Sequence, residues 1–144
     1  MRVLALDVGE RRIGMAMSDP LGITAQRAGT IERGALEETL RRLQEIVIRD
    51  EIGTVVVGLP LSMDGSRGTS AAGMGRFAED LRRALAIPVT LWDERLTTAE
   101  ADRLMRSAGV SRKERMRHLD EVAAQLILQS YMDSRREGSE REHC

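Results

Sequence analysis

The run RVLALDVG at positions 2–9 does most to limit the fold, because it is nearly continuous in apolar residues and stops at a glycine. Side chains alternate across a strand, so a strand without polar alternation has to be covered on both faces. That points to a sheet between helices, and the rest of the chain supplies them. RRIGMAMSD follows after a tight turn at Gly9, in the spacing of an antiparallel hairpin partner. GITAQRAGTIER offers a third, weaker strand. From Ala35 to Asp50 the residues Leu36, Leu40, Leu43 and Val47 recur at three and four, the spacing of one helix face. GTVVVGLP is a second buried strand, which Pro60 ends. LSMDGSRGTSAAG is rich in Gly and Ser and reads as a loop. It leads into a helix over Ala72–Ala86 with Phe77, Leu81 and Leu85 inward. IPVTLWDERLTT holds another strand. A short helix capped at Thr97 or Thr98 and stopped by Gly109 comes next. A longer last helix starts near Ser111, with Met116, Leu119, Val122, Ala123, Leu126 and Ile127 on one face. The pattern is mixed α/β, with one domain over residues 1–133. The tail 134–144, which has no apolar anchor before its final cysteine, is expected to be disordered.

Composition narrows the function classes. A length of 144 residues suits one domain whose core needs no disulfide staples. Cys144 is the single cysteine, which excludes an internal disulfide framework and a thiolate metal cluster and fits a reducing compartment. With neither a basic-apolar leader nor an 18-residue apolar stretch, the expected location is the cytoplasm, with no membrane partner. Net charge is −1, unlike a nucleic-acid coat protein, but only Lys113 among the 22 basic residues is lysine. Arginine favours planar, bidentate contacts to carboxylate or phosphate. Between Arg95 and Arg117 seven basic residues face three acidic ones, a local +4 that suits a phosphate-facing surface or a solvated helix face equally well.

Asp7 breaks the first apolar run, and a carboxylate in a central strand is costly unless something compensates its desolvation. A bound cation would do so. Two other acidic positions have the same character. Asp93 and Glu94 sit where the strand PVTLW ends, and open α/β sheets place ligand crevices at the carboxyl ends of strands. Asp120 lies at the border of the last helix's apolar stripe, followed by Ala123 and Ala124, small enough to let that helix approach the sheet. Each position taken singly has a plainer explanation, as a turn cap, a partner of Arg95 or a surface helix charge. Together, carboxylates from distant segments are what Mg²⁺ or Mn²⁺ prefers, one or two ions that keep waters and use few protein ligands. The glycine loop lacks the lysine and hydroxyl of a nucleotide-binding phosphate loop.

LALDVGERRIGMAMSD, VVVGLPLSMDGS, DERLTTAEA and HLDEVAAQLILQSY occur in this order over most of the chain, and together they resemble the YqgF family, also called RuvX. The resemblance implies a ribonuclease H-like fold, a five-stranded mixed sheet of order 3-2-1-4-5 with one antiparallel strand and helices on both faces. It implies a metal-dependent nuclease trimming the 5′ end of pre-16S rRNA, with ribosomal precursor particles as partners. Resolution of four-way DNA and a non-catalytic ribosome-assembly module are the alternatives. Asp7 would be the first metal ligand, Glu94 or Asp93 the second, with the longer Glu94 preferred, and Asp120 the third. Arg11, Arg12, Arg95 and the loop residues Ser62, Asp64 and Gly65 would hold the nucleic-acid backbone. The chain departs from the pattern twice: the fourth strand carries Gly58 where such nucleases place an acid, and Ser62 stands where the loop motif more often has Asn. A D-x-G strand-turn also opens the phosphate loop of sugar-kinase and actin-like ATPases, but those enclose nucleotide between two duplicated domains. Monomer and homodimer are both compatible with the sequence, although a junction resolvase needs a symmetric pair of sites.

Overall fold

A computed structural model describes residues 1–9, 11–59, 68–93 and 121–135. Five strands, β1 (Arg2–Val8), β2 (Arg12–Ser18), β3 (Ala25–Glu32), β4 (Ile52–Leu59) and β5 (Val89–Asp93), form one sheet of order β3-β2-β1-β4-β5. β2 runs antiparallel to both neighbours, whereas β1, β4 and β5 are parallel to one another. This is the sheet order and the single antiparallel strand of the ribonuclease H-like fold. The hairpin turn closes through the Gly9 N–H, which donates to the Arg12 carbonyl at 2.8 Å. A Cβ on Gly9 would sit 3.0 Å from that same oxygen, so a side chain is disfavoured there. On the other side of β2 the register slips between Gly14 and Ala16, opposite Gly29, whose φ of +88° suits a glycine at a bulge.

The apolar strands bury both faces, as the lack of alternation in β1 requires. On one face Leu4, Leu6, Ile13, Val55 and Val57 pack against α1 (Leu36–Arg49) and α2 (Gly68–Leu85). On the other, Ala5, Ala16, Ala25 and Val56 meet Ala124, Ile127, Leu128, Tyr131 and Met132 of the helical segment 121–135. The first face is aliphatic and deep. The second is floored by small residues, so its helix can lie close to the sheet.

Three sequence expectations need correction. The buried stripe of α1 is Thr39, Leu43, Ile46 and Val47, while Leu36 is half exposed and Leu40 partly buried. Leu36 is the first helical residue and precedes the turns that lie on the sheet. Helix α2 begins at Gly68 rather than Ala72, so the end of the supposed loop is helical; Gly and Ser composition marked a break that α2's packing overrides. The stripe of the last helix centres on Ala124 and Leu128, with Val122 and Leu126 only partly buried. The expected strands and the inward Phe77, Leu81 and Leu85 are as read. Segment 121–135 includes Ser134 and Arg135, the first two residues of the expected tail. The helix after Thr97 and the start of the last helix lie outside the described residues.

Candidate active site

Asp7 is half-buried near the carboxyl end of β1, the central strand. Alternation puts it on the face of Val3 and Ala5, the face covered by segment 121–135. The register then gives its row. Asp7 lies opposite Gly14 of β2, and one step from the Leu6–Val57 pair it comes level with Gly58 of β4, itself paired with Trp92 of β5. Both lateral neighbours of Asp7 on this face therefore lack side chains. In a sheet, directly opposite residues are side-chain neighbours, so neither strand beside Asp7 sets a side chain against its carboxylate at this level. The two glycines leave the Asp7 side chain in a slot whose wall on the β5 side is Trp92.

Trp92 is fixed. Its indole N–H donates to the Ser130 hydroxyl at 3.2 Å, and its ring meets Tyr131 edge-on with centroids 5.6 Å apart. At the other end of the sheet Gln125 donates to the Ala25 carbonyl at 2.8 Å. Segment 121–135 is thus held to β3 and to β5, the two outer strands, across the face that carries Asp7.

The expected phosphate-binding arginines divide. Arg12 opens β2 two residues before Gly14, so it shares the Asp7 face as a diagonal neighbour, a spacing of about 7–8 Å in a regular pair. Arg11 lies in the turn itself, and both are exposed. Asp93 is the last residue of β5, paired with Leu59, at the same end of the sheet as Asp7. Glu94, Arg95, Ser62, Asp64, Gly65 and Asp120 lie outside the described residues. Among the described residues no group of three His, Cys, Asp or Glu side chains is placed to hold a metal.

One residue of this end escaped the sequence analysis. Arg33, just past β3, donates from Nη1 to the Gly9 carbonyl at 3.0 Å, and its guanidinium stands 6.0 Å from the centre of the Phe77 ring. An isolated arginine in the stretch TIERG carries no periodic or motif signal; only the sheet order brings it beside Gly9.

The donor chemistry and the space around Asp7 fit a hard divalent cation. A half-buried carboxylate whose cross-strand neighbours are glycines is an oxygen donor of the kind such an ion prefers.

Comparison with known proteins gives consistent matches. Residues 1–134 match the family model described as RuvX, Holliday junction resolvase. A relative from Geobacillus sp. (strain WCH70), named "Putative pre-16S rRNA nuclease", is 49% identical over 139 residues, 94% of this chain and 99% of the relative. Its namesake from Thermoanaerobacter pseudethanolicus is 44% identical over 137 residues, with the same two coverages. Among solved structures, Thermus thermophilus RuvC in complex with Holliday junction substrate aligns with a TM-score of 0.57 at 14% identity, over 92% of this chain and 96% of that one. The fowlpox virus Holliday junction resolvase aligns with a TM-score of 0.55, also at 14% identity, over 93% and 99%. These two likenesses are of fold.

Proposed function

Because this chain belongs to the RuvX family, we propose that it is a nuclease, a phosphodiester hydrolase that processes the 5′ end of pre-16S rRNA in the cytoplasm. The observation that carries the RNA substrate is identity of 44% and 49%, over 94% of the chain, to relatives named for that activity. The family's own description favours the second reading, cleavage of four-way DNA junctions.

Asp7, Glu94 and Asp120 would hold one or two Mg²⁺ or Mn²⁺ ions, with Asp93 as the alternative to Glu94. A divalent ion there supplies positive charge against the oxyanions that develop as one P–O bond forms and another breaks. The chain's own part is to place and orient. Asp7 sits on a central strand whose backbone pairs on both sides, which fixes the position of its Cα and the face its side chain leaves from. Gly14 and Gly58 leave the phosphodiester room to approach. Arg12 on the same face, with Arg11, Arg95 and the loop carrying Ser62, Asp64 and Gly65, grips flanking phosphates, and such binding weakens as salt rises.

Asp7→Asn tests the assignment. It keeps size and polarity at a half-buried site, so the variant folds; losing a direct ligand is expected to lower cleavage by more than about 100-fold, the upper range for loss of a mere supporting partner. The assay uses end-labelled pre-16S rRNA and a four-way DNA junction, each with Mg²⁺, Mn²⁺ or EDTA. Cleavage by the folded Asp7→Asn protein at the wild-type rate would remove Asp7 from the reaction. Preference between the two substrates decides between the two readings.

A further inference from the structure

Arg11 lies in the turn after β1 and Arg12 opens β2 right behind it, and something has to hold that turn. Arg33 touches it twice. Its backbone N–H donates to the Arg11 carbonyl at 2.8 Å, carrying the β2–β3 pairing one step beyond the Arg12–Glu32 pair. Its guanidinium reaches across the start of β2 to the Gly9 carbonyl, two residues after Asp7. The same guanidinium stands over Phe77, a residue of α2 that is only 4% exposed. One side chain therefore links the ends of β1 and β3 to a buried ring of a helix on the opposite face from Asp7. A planar cation suits this place better than an ammonium, since it can donate in its plane while its face lies toward the ring.

We propose that Arg33 is a positioning residue of the nuclease site: it holds the Gly9 and Arg11 backbone between β3 and α2, and so fixes the direction in which Arg11 and Arg12 meet the nucleic-acid backbone. This rests on the nuclease reading given above. The clamp acts on binding first, because the turn carries the phosphate-gripping arginines, while Asp7 is held by strand pairing that Arg33 does not make.

The test compares Arg33→Ala, Arg33→Lys, the double variant Arg11→Ala/Arg12→Ala, and all three changes together, by kcat, KM and binding of labelled RNA across a salt series. Binding is read in the Asp7→Asn background to prevent turnover. Arg33→Ala is expected to raise KM and the apparent Kd about 10-fold with kcat reduced less than about 3-fold. It is also expected to flatten the logarithmic salt dependence by about 1.4, the share of two phosphate contacts to a single strand. Positioning makes the effects non-additive, so the triple variant binds no more weakly than the double one. Arg33→Lys recovers part of the loss through a single donor to Gly9. Phe77→Leu, which keeps α2 packed but removes the ring, shows a smaller effect of the same sign, and thermal melts confirm that each variant is folded. Additive losses, with a salt change of about 0.7, would mean that Arg33 grips a phosphate itself and would overturn the inference. Wild-type affinity in Arg33→Ala would overturn it too. Failure of the nuclease reading looks different: wild-type protein would neither cut nor bind either nucleic acid.

Discussion

Asp19 shows how much one carboxylate can organise. Its Oδ1 accepts the N–H groups of Ile23 and Thr24, both at 2.7 Å, and the Thr24 hydroxyl, while Oδ2 accepts the Leu21 N–H at 3.2 Å. These bonds shape the β2–β3 turn and leave Leu21 and Ile23 standing out in water, 80% and 55% exposed. The Thr24 N–H does most to hold the Asp19 carboxyl below its usual range; desolvation works against it, and the other donors add to the lowering. A depressed folded-state pKa means stability that is fully present above the unfolded value of about 3.9 and is lost as pH falls through the folded one. Asp19→Asn keeps an acceptor but loses the charge. Wild type is therefore expected to be more stable than Asp19→Asn at pH 6, with the difference shrinking as pH falls below the unfolded value and through the lowered folded one. Urea melts of both proteins across that range measure it, and a pH-independent difference would show that the charge contributes nothing. The stretch SDPLGIT carries a recognisable turn signal in Asp-Pro and Gly, but its chain of acceptors is visible only in three dimensions.

The two faces of the sheet are built on different scales of side chain, and this decides what each helix tolerates. α2 sets Phe77, Leu81 and Leu85 into an aliphatic face, and Arg82 near its end donates to the Val89 carbonyl at 2.8 Å, fastening it to β5. Segment 121–135 lies instead over Ala5, Ala16 and Ala25, all buried. Ala16→Leu would add three carbons beneath that helix, where Ala124 and Ile127 have no space to yield. Overpacking of this kind costs about 2 kcal/mol, which for a domain of this size lowers Tm by about 6 °C. Differential scanning calorimetry reads it directly, and an unchanged Tm would mean that the helix rides higher on the sheet than the buried alanines indicate. The sequence analysis recovered the strands because unbroken apolar runs have few other uses, and it recovered the inward side of α2 because Phe77, Leu81 and Leu85 are large. On the last helix the expected Ala123 and Ile127 are buried, but the buried face turns from Val122 and Leu126 toward Ala124 and Leu128, a shift of one residue that the apolar spacing does not distinguish. The same blindness covers the site: Gly14 and Gly58 flank Asp7 through strand register, which no spacing along the chain reveals.

For the molecule as a whole, the question raised by Asp7 is energetic. The fold brings the carboxyl ends of β1, β4 and β5 to one end of the sheet, where β1 carries Asp7 and β5 ends at Asp93. Two consequences separate a metal site from a structural aspartate, and neither requires turnover. A divalent ion that binds only the folded state stabilises it by RT ln(1 + [L]/Kd), about 1.4 kcal/mol at tenfold excess over Kd, which raises Tm by about 4 °C. Wild type is expected to show that rise with Mg²⁺ or Mn²⁺ at fixed ionic strength and to lose it on adding EDTA, while Asp7→Asn shows little. In EDTA the metal-dependent part of the difference between the two proteins disappears. Thermal melts of both proteins with metal and with EDTA give all four values. If metal shifts neither protein, the carboxylate is serving the strand and not a cation.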